Sequence, residues 1–495
     1  MNFSSNTQAG AIRATACTLL LAVTIAGALA VSPATRASTR QLSVLEDSAR
    51  VLSIDRAVQN ISLDEIKALD ADIVKIPVLW RTIAPNGTGR SKPRVDLSDP
   101  GAYPPANWAT LDAAILGAQI RGLSVWLMVT VPAPRWAVAK ETTPGNGAFN
   151  PDAGAYAEFV EALAKRYQSV KYWSLLNEPN LSLFLQPQHK NGVVLSAIHY
   201  RKLYRAGRAA LAANGHRRDT ILFGELLPRA PVPKRINGTV PPVMWLREFF
   251  CLDAELKRFS GSEARKRGCN RFQPIETSGF AYHPYTPPAG PLFTDPLPLN
   301  ATVHHLGRIY TVLDAAYREG RLTRRKLKVF SSEFGFQSRP PDRKAVPLAK
   351  VPGFLNISEL LTFNDPRVAT YSQYQLVDDL QLSGFQSGLR FHSGRKKPGV
   401  YAAYKLPLVV LRRTASSVTI WGKRRDVSAG REQVEIQTRV GRSFRTIATV
   451  KPDPKSGYFQ RLVGTSGAAA KVFRLKSGDI ISRTATPVEM PEYAP

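Results

Sequence analysis

Eight apolar, β-branched runs separated by amphipathic stretches constrain this 495-residue chain more than any other feature. The runs are 41–46, 71–80, 123–130, 172–176, 220–224, 278–285, 326–333 and 384–390. Between them, 108–120 places Leu111, Ile115 and Ala118 on one helical face and stops at Gly122. Phe159, Val160, Leu163 and Tyr167 mark a second helix over 155–167, and 197–214, 302–318 and 368–382 read as three more. Ser62-Leu-Asp-Glu65 is a capping box and predicts a helix start there. Apolar strands alternating with amphipathic helices predict a parallel sheet, and eight repeats predict closure into an α/β, (β/α)₈ TIM barrel. An open doubly wound sheet needs a Gly-rich phosphate turn after an early strand, and the sequence has none.

After Leu411 the pattern changes to short alternating runs such as 417–421, 433–438, 443–448 and 457–462, broken by Gly, Pro and Lys. These predict a small C-terminal all-β sandwich domain. At the other end, Arg13 precedes the apolar run 16–31 with Ala28-Leu-Ala30 near its close, the pattern of a cleaved secretory signal. The expected organisation is a signal peptide over 1–37, a catalytic barrel over 38–411 and a β-sandwich over 412–495. Cys17 falls inside the signal. Cys251 and Cys269, 18 positions apart in a polar region, fit one loop-closing disulfide of a secreted, extracellular protein.

The formal net charge of +29 calls for a partner. Its Lys and Arg are spread along the chain without the blocks, aromatic patterns or zinc fingers of nucleic-acid modules, so no nucleic acid is expected. An anionic cell-wall or polysaccharide surface suits it better. Residues 412–495 hold 16 Lys/Arg against 7 Asp/Glu, a balance of +9, which makes the β-domain a candidate for that docking. General solubility explains the charge equally well. A monomer is expected.

The chemistry centres on two acids. The fourth run ends in Asn177-Glu178-Pro179, where proline turns the chain and projects Glu178 from the strand end. The seventh ends at Glu333. In a closed barrel these ends face each other across the C-terminal mouth, where barrel enzymes carry their sites. Paired carboxylates flanking one sugar are what glycosidic bond cleavage requires.

Asn177-Glu178-Pro179 and Ser332-Glu333-Phe-Gly335 together resemble the retaining β-glycosidases of glycoside hydrolase clan A over most of residues 40–411. Asn-Glu-Pro-Asn-Leu181 is similar to family 39, and Ser-Glu-Phe-Gly to family 5. The resemblance implies Glu178 as general acid/base and Glu333 as nucleophile, acting on a poly- or oligosaccharide without cofactor or metal. It also implies that Asn177 binds the sugar 2-hydroxyl, that His283 and Tyr285 form the clan's His-x-Tyr with Tyr285 bonded to Glu333, and that Arg81 contacts the nucleophile. Trp136 and Trp80 are candidates for stacking on a sugar face. The clan's tryptophan at the end of strand eight is replaced here by Phe385 and Arg390, and Arg390 could pair with an acidic sugar or neutralise neighbouring acids. A catalytically inactive carbohydrate- or envelope-binding barrel is the alternative.

Overall fold

The computed structural model describes residues 41–139, 146–425, 433–465 and 471–490. The proposed signal segment therefore lies outside the described residues. Eight parallel strands close into a barrel: β1 (Leu42–Glu46), β2 (Ile73–Leu79), β3 (Ser124–Thr130), β4 (Tyr172–Leu175), β5 (Thr220–Leu226), β6 (Gly279–Tyr282), β7 (Val329–Ser331) and β8 (Val368–Tyr374). Each strand pairs with the next, and β1 also pairs with β8, so no edge remains. Helices such as Pro105–Ile120 and Ala153–Arg166 pack their apolar faces outside the strands.

Two elements depart from the sequence expectation. The stretch 368–382 is not a helix: its first half, Val-Ala-Thr-Tyr-Ser-Gln-Tyr374, is β8 itself. The preceding helix is Val351–Asn364, stopped at Asp365-Pro366, and 384–390 is a loop beyond the mouth end of β8. Side-chain alternation along a two-sided buried strand can pass for helical spacing when the helix stop is overlooked. The second departure is at Ser62. The helix begins at Arg56 and is capped by Asp55, whose carboxylate accepts from the Ala57 N–H at 2.8 Å. Ser62 lies mid-helix and donates to the Val58 carbonyl.

Strand periodicity decides what fills the barrel. Val44, Ile73, Trp126, Leu222 and Ala281 form an apolar layer inside it. Two residues further along the same strands the inward positions are Glu46, Lys75 and His283. An apolar floor thus carries a charged layer toward the C-terminal mouth.

The C-terminal region is all antiparallel. β9 (Leu408–Thr414), β10 (Ser417–Lys423) and β13 (Tyr458–Gly464) form one sheet. β11 (Val434–Val440), β12 (Ser443–Val450), β14 (Phe473–Ser477) and β15 (Ile480–Ile481) form the other. Val410, Ile420, Val434, Ile436, Phe459 and Leu475 are buried between them. This domain joins the barrel at the N-terminal ends of its strands. Lys423 Nζ donates to Ser43 Oγ at 2.8 Å, Arg425 pairs with Glu359 at 2.8 Å, and the Tyr458 hydroxyl reaches Glu359 and Gln41 at 2.9 and 3.2 Å. The mouth is at the opposite end.

Between β5 and β6 lie two helices, Pro242–Phe249 and Gly261–Lys266, joined by a disulfide between Cys251 and Cys269. Closing a loop of this length removes about 3 kcal/mol of unfolded-chain freedom. Cys251→Ala with Cys269→Ala should lower unfolding free energy by about that amount in urea titrations. Unchanged stability would mean that packing alone holds the excursion.

Candidate active site

Three backbone irregularities aim the acids. Leu176 and Glu178 both have positive φ, 74° and 34°, unusual for residues with a side chain and concentrated at functional sites in folded proteins. The Leu176 N–H still reaches the Val129 carbonyl at 2.8 Å, and the Glu178 N–H reaches the Glu225 carbonyl at 2.9 Å, so the turned segment is held. Glu225 also has positive φ, 60°, at a register irregularity between Gly224 and Leu226. That irregularity turns into the barrel a side chain that regular alternation would point outward. Beyond β7, Glu333-Phe334-Gly335 packs so closely on β8 that a Cβ on Gly335 would lie 2.5 Å from the Tyr374 carbonyl oxygen.

Six charged groups converge. Lys75 Nζ stands 2.7 Å from Glu225, 2.9 Å from Glu46 and 3.2 Å from Glu333. His283 Nδ1 is 2.9 Å from Glu178, while its Nε2 is 3.2 Å from Glu225 and 3.5 Å from Glu333. The Tyr285 hydroxyl donates to the second oxygen of Glu333 at 3.3 Å. Ser174 donates to Glu225 at 2.5 Å and accepts from the Trp126 indole at 2.8 Å. Lys75, Glu225 and His283 are fully buried, whereas Glu178 and Glu333 keep 9% and 8% of their surface exposed. The two acids named from sequence are the ones a ligand can touch.

Their surroundings set the ionisation. Burial pushes the Glu178 carboxyl up, and Glu333 adds to this against the pull of His283. Glu46 is raised to about 7 by burial despite Lys75. Burial alone would raise Glu225 as well, yet Lys75 and His283 hold it at about 2. Burial disfavours the His283 cation, but Glu333, Glu178 and Glu225 outweigh it and carry the imidazole up to about 10. The Lys75 ammonium is likewise held far above its ordinary range by Glu225, Glu46 and Glu333, overcoming burial. Glu178 and Glu46 are thus biased toward the protonated form, while Glu225, between Lys75 and His283, is biased toward the ionised one.

Glu225, His283 and Glu333 present ligand atoms within 4.8 Å of one another, the spacing of a metal cluster. The Lys75 ammonium already touches both glutamates, and the carboxylates around His283 carry its imidazole up to about 10.

Asn177 lies beside the acids with its Oδ1 buried and without a hydrogen-bond partner among the described residues. Such an atom is ready for a ligand hydroxyl. Arg81 is placed elsewhere: it sits in a short helix after β2, and its Nε donates to the Ala133 carbonyl at 2.8 Å. Lys75, on the strand before it, is the cation that contacts Glu333. Trp80 is core, stacked on Phe159 at 5.8 Å, and half-buried Trp136 packs edge-on against Trp80 with its indole bonded to the Pro85 carbonyl. Arg390 is bound to Glu65 at 2.6 Å. With β8 correctly placed, its terminal aromatic is Tyr374, edge-on to Phe385 at 5.1 Å and with its hydroxyl pKa pushed up by burial and by Glu333.

Lys75, Glu46, Glu225 and Tyr374 were not singled out from sequence. The signal for the first two was present: a charge inside an apolar strand, in phase with Val44 or Ile73, must point into the barrel.

No protein-family model matches this chain, and no curated protein does. Solved structures similar to it include a GH5_18 enzyme from Streptomyces cattleya in complex with Manb1-4GlcNAc, at 14% identity over 74% of this chain and 79% of that one, TM-score 0.46. Another is the β-glucosidase from Trichoderma harzianum, at 12% over 74% and 97%, TM-score 0.46. A third is an aphid myrosinase, at 11% over 74% and 97%, TM-score 0.42. At such distances the reading of the site rests on its own geometry.

Proposed function

We propose that this chain is an exported retaining β-glycoside hydrolase. One observation carries the reading: the two accessible members of a buried charge cluster are glutamates at the ends of β4 and β7, spanned by a single imidazole. Glu178, proton-rich, gives its proton to the glycosidic oxygen. Glu333, oriented by Tyr285 and Lys75, attacks the anomeric carbon and forms a glycosyl ester. Glu178, now ionised, takes a proton from water as it hydrolyses the ester. Asn177 would hold a sugar hydroxyl. Export is supported by the apolar segment behind Arg13 and by the Cys251–Cys269 disulfide. The basic β-domain, docked away from the mouth, is free to hold an anionic surface while the mouth works.

Glu178→Gln tests the acid role. Turnover of glycosides with poor leaving groups should fall about 10²- to 10⁴-fold, and that of dinitrophenyl glycosides, which leave without a proton, far less. Wild-type activity should decline at a pH above the ordinary carboxylate range as Glu178 ionises, and the variant should lack that limb. Equal losses for both leaving-group classes would assign Glu178 another role.

A further inference from the structure

Next to Glu333 lies a cavity of about 310 Å³, at the lower end of the range of small-ligand sites (about 300–1,000 Å³). Its walls include Tyr285, Phe336, Gln337, Lys344, Phe385 and Ser387. Two features tie it to the reacting centre. Tyr285 is bonded to Glu333, and Gly335, also in the wall, approaches Ser387 so closely that a Cβ there would lie 3.2 Å from the serine Cβ. Ser387 is buried, and its hydroxyl has no hydrogen-bond partner among the described residues. Phe336 and Phe385 give apolar faces of the kind that pack on sugar rings, and Gln337 adds polar groups.

Lys344 and Asp342 are the charged residues among those that line the cavity. The segment 338–350 carries Arg339, Arg343, Lys344 and Lys350 against one acid, Asp342. All four cations are exposed, and among the described residues none of them takes part in an ion pair. Asp342 is engaged locally, its carboxylate accepting from the Lys344 N–H at 2.9 Å. The pairing of Ser338–Arg339 with Val346–Pro347 fixes the segment at the cavity wall.

We propose that this cavity receives a second sugar unit bearing an anionic group, carboxylate or sulfate, beside the sugar that reacts at Glu178 and Glu333. The proposal rests on the glycosidase reading and adds the substrate class: acidic β-linked oligosaccharides. Lys344 pairs with the anionic group, the phenylalanines cover the ring, and Ser387 takes a hydroxyl.

Calorimetric titration of the full-length Glu333→Gln protein tests this without turnover. The probes are cellotetraose, a β-1,4-glucuronan tetrasaccharide and sulfated cellotetraose. At least one acidic probe should bind at least tenfold more tightly than cellotetraose, and which one does so separates carboxylate from sulfate. K344Q on an exposed position leaves the fold intact and should abolish that preference. Equal binding of neutral and acidic probes, no binding of either acidic probe, or a preference that survives K344Q and so belongs to the overall +29 charge, overturns the proposal. Turnover of aryl β-glycosides by the wild type reports on the glycosidase reading separately.

Discussion

Replacing Glu333 by Gln is expected to lower kcat/KM for an aryl β-glycoside by roughly 10⁴-fold or more, because the proposed nucleophile is then a neutral amide. The fold should survive. Glutamine keeps the acceptor for Tyr285, and Lys75 retains Glu46 and Glu225. The truncated Glu333→Gly protein gives a sharper result. Added azide should restore turnover by entering from the vacated side, and the product should be the α-glycosyl azide. In Glu178→Gly the glycosyl ester still forms on Glu333, and azide intercepts it from the opposite face, giving the β-azide. Product stereochemistry therefore assigns the two glutamates independently of the size of either rate loss. A β-azide from the Glu333 variant would reverse the roles.

Lys75→Met should have the largest effect on stability. It leaves Glu46, Glu225 and Glu333 facing one another in the barrel with their shared cation gone. Breaking a buried pair by removing one partner typically costs about 3–5 kcal/mol. The loss should depend on pH in a definite direction. Glu225 is held at about 2, below the ordinary glutamate value of 4.5, so it contributes stability that is present above about 4.5 and disappears as pH falls toward 2. Lys75 is the largest favourable cause of that depression. The gap between wild type and variant should therefore be widest near pH 7 and shrink on acidification, as the variant's unpaired carboxylates take up protons. Chemical denaturation at pH 7 and pH 4 measures both. A variant as stable as the wild type at pH 7 would show that His283 alone can neutralise the cluster.

The parts of this molecule that the sequence made legible are those governed by local pattern. Strands β1 to β7 lie where apolar runs are bounded by turn residues, and Glu178, His283, Tyr285 and Glu333 follow from being at strand ends. β8 escaped because Val368–Tyr374 is followed by a further run of buried residues, Gln375 to Asp378, which imitates one helical face. Recognising Asp365-Pro366 as a helix stop would have placed it, and with it Tyr374. The family resemblance implies Arg81, just past the end of β2, as the cation on the nucleophile, whereas Lys75 holds that place. The strand's pleat points Lys75 inward, and Arg81 lies in the short helix Trp80–Ile83, turned toward Ala133. Glu225 is the hardest case. Its inward aim depends on a positive φ at a non-glycine residue, a conformation imposed by the packing of β5 against β6 and unmarked in the local sequence. The docking of the β-domain under the barrel is equally long-range, resting on Lys423, Arg425 and Tyr458 meeting Ser43, Glu359 and Gln41.

The pairing of an acid and a nucleophile predicts the stereochemistry of the reaction itself. Proton NMR of the anomeric region, recorded during the first minutes of hydrolysis of an aryl β-glycoside by the wild-type protein, reads it directly. Appearance of the β-anomer first, with the α-anomer growing only by mutarotation, is the result expected of a glycosyl ester on Glu333. The α-anomer appearing first, or hydrolysis persisting in both Glu178→Gln and Glu333→Gln, would contradict a double displacement by these two glutamates.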